Sequence, residues 1–263
     1  MGKEINFTKM QGAGNDYIYV DTFRFTIDDP AKAAIAWSDR RKGIGADGLV
    51  LIGPSPTPEA DFSMLIFNAD GSQAQMCGNA ARCVGKYLRE RGLSDKSAIR
   101  LHTLAGVRTV ELRGDDISVE MGVPLFEDGS LFIPEKDPGS GTFVSMGNPH
   151  YVIFTGDPAS ALASGEALEH HEAFPERCNI EFARILPDGS IEAKVWERGS
   201  GITASCGTGA CAIAAVARLK GLASARSSII MDGGTLVVEF LPDGRTLLFG
   251  PTSFVFDGLI TLE

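Results

Sequence analysis

Short stretches rich in β-branched and aromatic residues, punctuated by polar Gly-, Asp- and Pro-containing segments, read as strands along the whole chain. In the first half these are Ile5–Met10, Asp16–Asp21, Leu49–Ile52, Phe62–Phe67, Val107–Leu112 and Ile117–Met121. The pattern resumes with Phe143–Met146, Tyr151–Phe154, Ile180–Ile185, Ile191–Trp196, Ile229–Met231, Leu236–Phe240, Thr246–Phe249 and Phe254–Phe256. Helical spacing of apolar residues is clear only in Asn79–Arg91 and Thr208–Lys220, both alanine-rich, and a third helix is expected over Pro158–His170. Strands that follow one another without an intervening helix do not build a doubly wound parallel sheet, so the pattern predicts an α+β architecture.

Similar words introduce the two clear helices: FNADGSQAQMCGNAARC before the first and WERGSGITASCGTGAC before the second. In each, a Cys-Gly pair opens the helix, and nine residues ahead of the cysteine a polar residue follows an aromatic one, Asn68 after Phe67 and Glu197 after Trp196. A second echo pairs Gly14-Asn15 with Gly147-Asn148, each leading into a strand. Both echoes recur about 130 residues apart, near half the chain, which predicts two pseudo-symmetric domains. Between them, residues 123–142 hold three prolines and little periodicity and read as an interdomain crossing.

Charge narrows the partners. The 263 residues carry a formal net charge of −10, without the basic excess that neutralising many phosphates requires, so a small molecule or a protein, rather than nucleic acid, is the expected partner. No run reaches the ~20 apolar residues of a membrane span. The start, MGKEINFTKM, has no apolar signal-peptide region, so a cytoplasmic protein away from membranes is expected. The five cysteines form no CxxC pair and the four histidines no HxxxH or HExxH spacing, so no metal site is predicted.

The cysteine-led helices carry the candidate chemistry. A cysteine at a helix N-terminus lies at the positive end of the dipole, which favours thiolate. Gly78 and Gly207 leave the first-turn N–H groups uncovered, ready for an anion. Two such ends holding one carboxylate suit inversion of a stereocentre alpha to it: one sulfur removes a proton from one face and the other supplies a proton to the opposite face. First-turn donors stabilise the carbanion-like charge, and no metal or organic cofactor is needed. Cys83, Cys178 and Cys211 read as small buried hydrophobes. Asp70-Gly71 reads as a turn and Arg40-Arg41-Lys42 as a solvated face.

With these words, and with KMQGAGNDYIYVD, DRRKGIGADG, VSMGNPHYVIF, FPERCNIEF and the final FDGLITL, the chain resembles the diaminopimelate epimerase family over nearly its whole length. The resemblance implies a cofactor-independent epimerase that interconverts LL- and meso-2,6-diaminoheptanedioate, the diaminopimelate of lysine and peptidoglycan precursor biosynthesis. It implies two similar α+β domains, each a curved mixed or antiparallel sheet wrapped round a central helix, with the site in the cleft between them. Residues 1–121 with 253–263 would form the first domain and 122–252 the second. Cys77 and Cys206 match the catalytic cysteines, and His150 matches a histidine that supports them. Gly78, Asn79, Gly207 and Thr208 match the first turns that hold the reacting carboxylate. Asn15, Asn68, Asn148 and Asn179 match substrate-binding amides, and Glu197 and Arg198 match the pair that recognises the distal amino and carboxylate groups, with Glu197 also placed among the catalytic residues. The family also implies a homodimer.

The chain departs from the family pattern at Gly48, where some members carry Gln, at Ala80, often Gly, and at Ile202, often Glu. A proline or hydroxyproline racemase of the same fold is the alternative within the enzyme class. Asn79, where those relatives have His, and Ala204-Ser205, where they have Ser-Pro, favour diaminopimelate.

Overall fold

The computed structural model describes residues 3–114 and 116–262. The chain divides into two compact units, Met1–Val119 with Gly250–Glu263 and Glu120–Phe249. The first contains β1 (Lys3–Gly12), β2 (Asn15–Asp21), α1 (Pro30–Ser38), β3 (Gly48–Pro54), β4 (Phe62–Asn68), β5 (Gln73–Ala74), α2 (Gly78–Glu90), β6 (Ala98–Thr103) and β7 (Gly106–Arg113). Strand β8 (Asp116–Gly122) carries the chain onward. The second contains β9 (Thr142–Ser145), β10 (Pro149–Phe154), α3 (Pro158–Ala161), α4 (Gly165–Glu169), β11 (Asn179–Ile185), β12 (Ile191–Glu197), β13 (Gly201–Thr203), α5 (Gly207–Leu219), β14 (Arg226–Met231), β15 (Gly234–Phe240) and β16 (Thr246–Phe249). The final strand β17 (Ser253–Leu262) returns to the first unit and pairs antiparallel with β1.

The strand pairings repeat. From β1 to β8, neighbours pair antiparallel, parallel (β2–β3), antiparallel (β3–β4, with the short β5 on β4), parallel (β4–β6), antiparallel and antiparallel. From β9 to β16 the sequence of pairings is the same, with β10–β11 and β12–β14 parallel and the short β13 on β12. In both units the short strand precedes a cysteine and the longest helix. The architecture is therefore the α+β repeat that the echoed words imply.

Each long helix packs on several strands of its own unit. Helix α5 lies against β9, β10, β11, β14, β15 and β16, and every residue from Gly209 to Ala217 is buried. A helix surrounded on all sides has no polar face, which explains the run GACAIAAVA. Alanine adds helix propensity while letting strands approach closely. Helix α2 packs on β1, β2 and β7. A Cβ at Gly85 would come within 2.6 Å of Val110, so only glycine fits where helix and strand touch. The opposite face of the first unit's sheet is covered by α1, whose Ala33, Ala34 and Trp37 join Ile5, Ile18, Val20, Leu49 and Leu51 in one core cluster. Strand β2 is thus buried on both faces, since Tyr19 between Ile18 and Val20 interacts with Cys83 of α2.

Two helical readings differ from the sequence pattern. Pro158–His170 is a broken path, α3, then a 3-10 turn at Leu162–Ser164, then α4. Helix α4 docks where a Cβ at Gly165 would lie 2.7 Å from Trp196, so close packing on that indole sets its direction. Helix α1 is additional, started by Asp29, whose side chain accepts from the Lys32 N–H, with Pro30 at its first position. Residues 123–142, expected as an interdomain crossing, instead lie inside the second unit, where Leu131 and Phe132 pack on its core. The division between units falls within β8, and the segment holds a 3-10 turn at Pro134–Lys136 and a bridge from Leu125 to Ser145. Among the described residues no helix is long and apolar enough to cross a membrane.

Candidate active site

Cys77 caps α2 and Cys206 caps α5, both in extended backbone conformation, with their carbonyls accepting the first helical bonds from Ala81 and Ala210. The two short strands and their turns deliver the cysteines. Asp70-Gly71 is a turn, closed by the Asp70 carboxylate on Ser72, with Gly71 at φ +83°.

In the first unit the Cys77 thiol faces Asn15 Oδ1 at 3.4 Å. Asn15 presents that oxygen because its amide nitrogen donates to Asp47 Oδ2 at 2.7 Å. Asp47 also accepts from the Asp16 N–H and pairs with Arg40, which makes two further bonds to Asp16. Asp16 in turn pairs with the buried Lys9 at 2.7 Å. Burial pushes the Asp16 carboxyl up, but the hydrogen bonds and charges of Arg40 and Lys9 outweigh it and hold it below the ordinary range. Arg40 is therefore not simply part of a solvated face: it braces the loop that orients Asn15.

Tyr17 lies beside this group. Burial, then negative charge at Cys77 and Asp47, push its hydroxyl well above the usual phenol range, and hydrogen bonds link it to Asn15 and Cys77. Asn79 is buried in the first turn of α2 and accepts from Arg82 at 2.8 Å. Asn68, at the end of β4, donates to Ser72 and stands opposite Gly48. A Cβ at Gly48 would lie 2.2 Å from the Phe67 carbonyl, so in this chain the backbone of β4 occupies the space a side chain would need.

In the second unit one network joins five of the expected residues. Cys206 Sγ accepts from the Gly209 N–H at 3.4 Å and lies 3.5 Å from Thr208 Oγ1. Thr208 accepts from the Asn148 amide at 3.4 Å, and Asn148 Oδ1 faces His150 Nε2 at 3.1 Å. His150 is fully buried, and its Nδ1 lies 2.6 Å from Glu181 Oε1. Both ring nitrogens thus face acceptors, which a doubly protonated ring satisfies in full and a neutral ring satisfies with the Asn148 amide reversed. Glu197 accepts from Thr203 at 2.5 Å and interacts with Cys206. Asn179 and Arg198 form a second group: Asn179 Oδ1 accepts from the Arg198 N–H at 3.0 Å, its amide donates to the Pro149 carbonyl, and the Arg198 guanidinium donates to the Glu176 carbonyl at 2.8 Å.

The electrostatics of Cys206 reverse the expectation drawn from its place at a helix end. Burial, then the carboxylates of Glu197 and Glu181, push its thiol well above the ordinary range, and Thr208 and the Gly209 N–H only partly offset them. A helix dipole contributes ~0.3–1 kcal/mol at its N-terminus, less than burial beside two carboxylates costs a thiolate. These surroundings favour the thiol form of Cys206. Burial likewise raises Glu197, against hydrogen bonds from Thr203 and Cys206. Cys83 is pushed up to about 11 by burial and Cys178 well above its ordinary value, as befits inert packing groups.

Asp47, Tyr17, Glu181 and Gly209 are site residues that the sequence reading passed over. Asp47, Tyr17 and Glu181 lie inside words already singled out, DRRKGIGADG, GAGNDYIYVD and FPERCNIEF. For Glu181 the signal is a lone carboxylate inside an apolar strand.

Solved structures share this fold across almost the whole chain. A phenazine biosynthesis protein of the PhzF family from Bacillus anthracis superposes with TM-score 0.74 at 16% identity, over 99% of this chain and 100% of that one. A hydroxyproline epimerase from Agrobacterium vitis superposes with TM-score 0.69 at 15% identity, over 99% and 92%. These likenesses define the fold class, a repeat of α+β units, here each with a cysteine-capped helix. The particular family follows from sequence: the diaminopimelate epimerase model matches residues 7–126 and 142–255, and the chain belongs to that family. Diaminopimelate epimerases of Phocaeicola vulgatus and Bacteroides thetaiotaomicron are 50% and 51% identical, covering 100% and 98% of both chains.

Proposed function

We propose that the chain epimerises diaminopimelate, interconverting its LL and meso forms by proton transfer between two cysteines and the alpha carbon. The observation that carries this reading is the placement of Cys77 and Cys206 at equivalent points of the repeated fold, each capping a largely buried helix whose N-terminal end suits an anion. One sulfur, as thiolate, takes the alpha proton and becomes a thiol. The other, as thiol, gives its proton to the opposite face and becomes a thiolate. Proton count and oxidation state are unchanged, and the reverse reaction exchanges the roles.

The chemistry of this transfer needs no metal or organic cofactor. Burial and two carboxylates favour the protonated form of Cys206, which suits it to start as the acid. Gly78, Asn79, Gly207 and Thr208 would hold the reacting carboxylate, where N–H donors stabilise the charge that develops. Asn15, Asn68, Asn148 and Asn179 would bind the substrate's polar groups. Glu197 and the Arg198 fork would read its distal amino and carboxylate groups, Arg198 turning from the Glu176 carbonyl to do so. The family relationship supports a cytoplasmic homodimer serving lysine and peptidoglycan precursor synthesis.

Proton NMR with LL-diaminopimelate in heavy water, with reductant and no added cofactor, tests the reading beside Cys77→Ala and Cys206→Ala. Deuterium at the alpha carbon with meso product in the wild type, and no epimerisation in either variant, is expected. Absence of exchange in the wild type under reducing conditions overturns it.

A further inference from the structure

The repeat aligns residues of the two units one for one, and the alignment isolates a carboxylate. Gly48 of β3 pairs with Tyr17, and Asn179 of β11 pairs with His150. Two residues further along each strand stand Val50 and Glu181, both fully buried. The fold accepts a valine at this position in the first unit, so it does not require the buried carboxylate of the second. A buried carboxylate costs several kcal/mol in desolvation unless paired, and a replaceable one that is retained beside titratable groups marks function.

We propose that Glu181 is a positioning residue of the Cys206 half-site: it fixes the His150 ring through Nδ1 and, with Glu197, surrounds Cys206 with negative charge so that this cysteine holds the proton. The inference rests on the proposed epimerase reading and adds a residue to it. Three observations support the placement. Glu181 Oε1 lies 2.6 Å from His150 Nδ1, with both side chains fully buried. Its Oε2 is buried with no hydrogen-bond partner, so the carboxylate keeps an unsatisfied acceptor that packing alone gives no reason to retain. A Cβ at Gly209 would lie 2.9 Å from Glu181 Oε1 and 3.3 Å from Cys206 Sγ, which places carboxylate and sulfur around the same point beside one glycine.

The titratable groups around Cys206 are Glu197 on β12, Glu181 on β11 and His150 on β10. Cys178, before β11, also interacts with Glu181 and with Arg198. Glu181 therefore acts in two ways. Its charge opposes a second negative charge on Cys206. Its bond to Nδ1 directs Nε2 toward Asn148, and through Asn148 and Thr208 toward the sulfur. In the first unit Tyr17 and Val50 offer neither.

The test is Glu181→Gln, which keeps the shape and removes the charge. In a Cys77→Ala background, iodoacetamide alkylation of Cys206 is followed against pH by mass spectrometry of its peptide. The midpoint is expected to move down by about one pH unit or more. In the otherwise wild-type chain, kcat for diaminopimelate is expected to fall at least about tenfold with KM within about twofold. An unmoved midpoint in a folded variant overturns the proposal. If Glu181→Gln does not fold, Glu181→Asp decides: the charge stays but withdraws from Nδ1, so the alkylation midpoint is kept while kcat falls, and an unaltered kcat overturns the role. Alkylation needs no substrate, so a wild type inactive on diaminopimelate refutes the epimerase reading without touching the midpoint comparison.

Discussion

Tyr17 and His150 occupy the same register position in the two units. Each lies two residues after an asparagine, Asn15 and Asn148, and each pairs with the first residue of the adjacent parallel strand, Gly48 and Asn179. Tyr17 interacts with Cys77, while His150 reaches Cys206 through Asn148 and Thr208. The two half-sites thus share a scaffold and differ in chemistry. The first unit places a phenol and a valine where the second places an imidazole and a carboxylate.

The first expectation concerns that phenol. Tyr17→Phe keeps the ring that packs against β3 and removes only the hydroxyl that interacts with Asn15 and Cys77. One hydrogen bond to a reacting group is worth ~1–1.5 kcal/mol, so kcat should fall about tenfold with KM nearly unchanged. Steady-state kinetics on both stereoisomers read the effect. A variant with wild-type kcat would remove Tyr17 from the site.

The elements that carry Cys77 and Cys206 were legible because a buried helix leaves an alanine-rich, helically spaced trace and the repeat doubles it. Strands Ala98–Thr103 and Gly201–Thr203 left no such trace. The second is three residues long and owes its conformation to pairing with β12. Helix α1 announced itself only by Asp29-Pro30, a cap signal without strong periodicity. Arg40 read as solvated since its partners, Asp16 and Asp47, become neighbours only when β2 and β3 pair in parallel. Glu181 illustrates the same limit: a carboxylate in NIEFARI says that something meets it, and only the register of β10 against β11 says that it is His150.

Gly209 is the next point of leverage. Its N–H donates to Cys206 Sγ, and a Cβ there would press on Glu181 Oε1 at 2.9 Å and on Cys206 at 3.2 Å. Gly209→Ala should cost ~1–3 kcal/mol through overpacking, and epimerase activity at least about tenfold, since the displaced atoms are those of the half-site. Thermal unfolding and turnover measured side by side check this. Wild-type turnover would place the first turn of α5 outside the reaction.

Asp16 supports an acid-side prediction. Its carboxyl is held below the ordinary range by Arg40 and Lys9 despite burial, so its contribution to stability is present above the unfolded value, ~3.9, and is lost as pH falls through the folded value. Asp16→Asn leaves Lys9 buried against the Gly45 carbonyl without its ion pair, and breaking such a pair costs ~3–5 kcal/mol. The gap in Tm between wild type and variant should be wide at neutral pH and close as both are taken below pH ~4. A gap that does not change with pH would assign the loss to packing instead.

On the alkaline side the sign is opposite, and Cys206 sets it. Its folded thiol titrates well above the ordinary ~8.5, so between those two values the unfolded chain releases a proton that the folded chain retains. Stability attributable to this group is therefore full below pH ~8.5 and declines as pH rises above it. Turnover in the direction that uses Cys206 as the acid needs the same proton on the same sulfur, so the alkaline limb of kcat in that direction should lie above that of a free thiol. Glu197→Gln removes one of the two carboxylates that hold the proton and should draw the limb down, while Cys206→Ala should flatten the alkaline loss of Tm relative to wild type. Cys83 and Cys178, also raised by burial, keep a residual slope in every variant. An identical slope with and without Cys206 would assign the alkaline sensitivity to other buried groups, Cys83, Cys178 and the raised tyrosines among them, and leave Cys206 with an ordinary thiol.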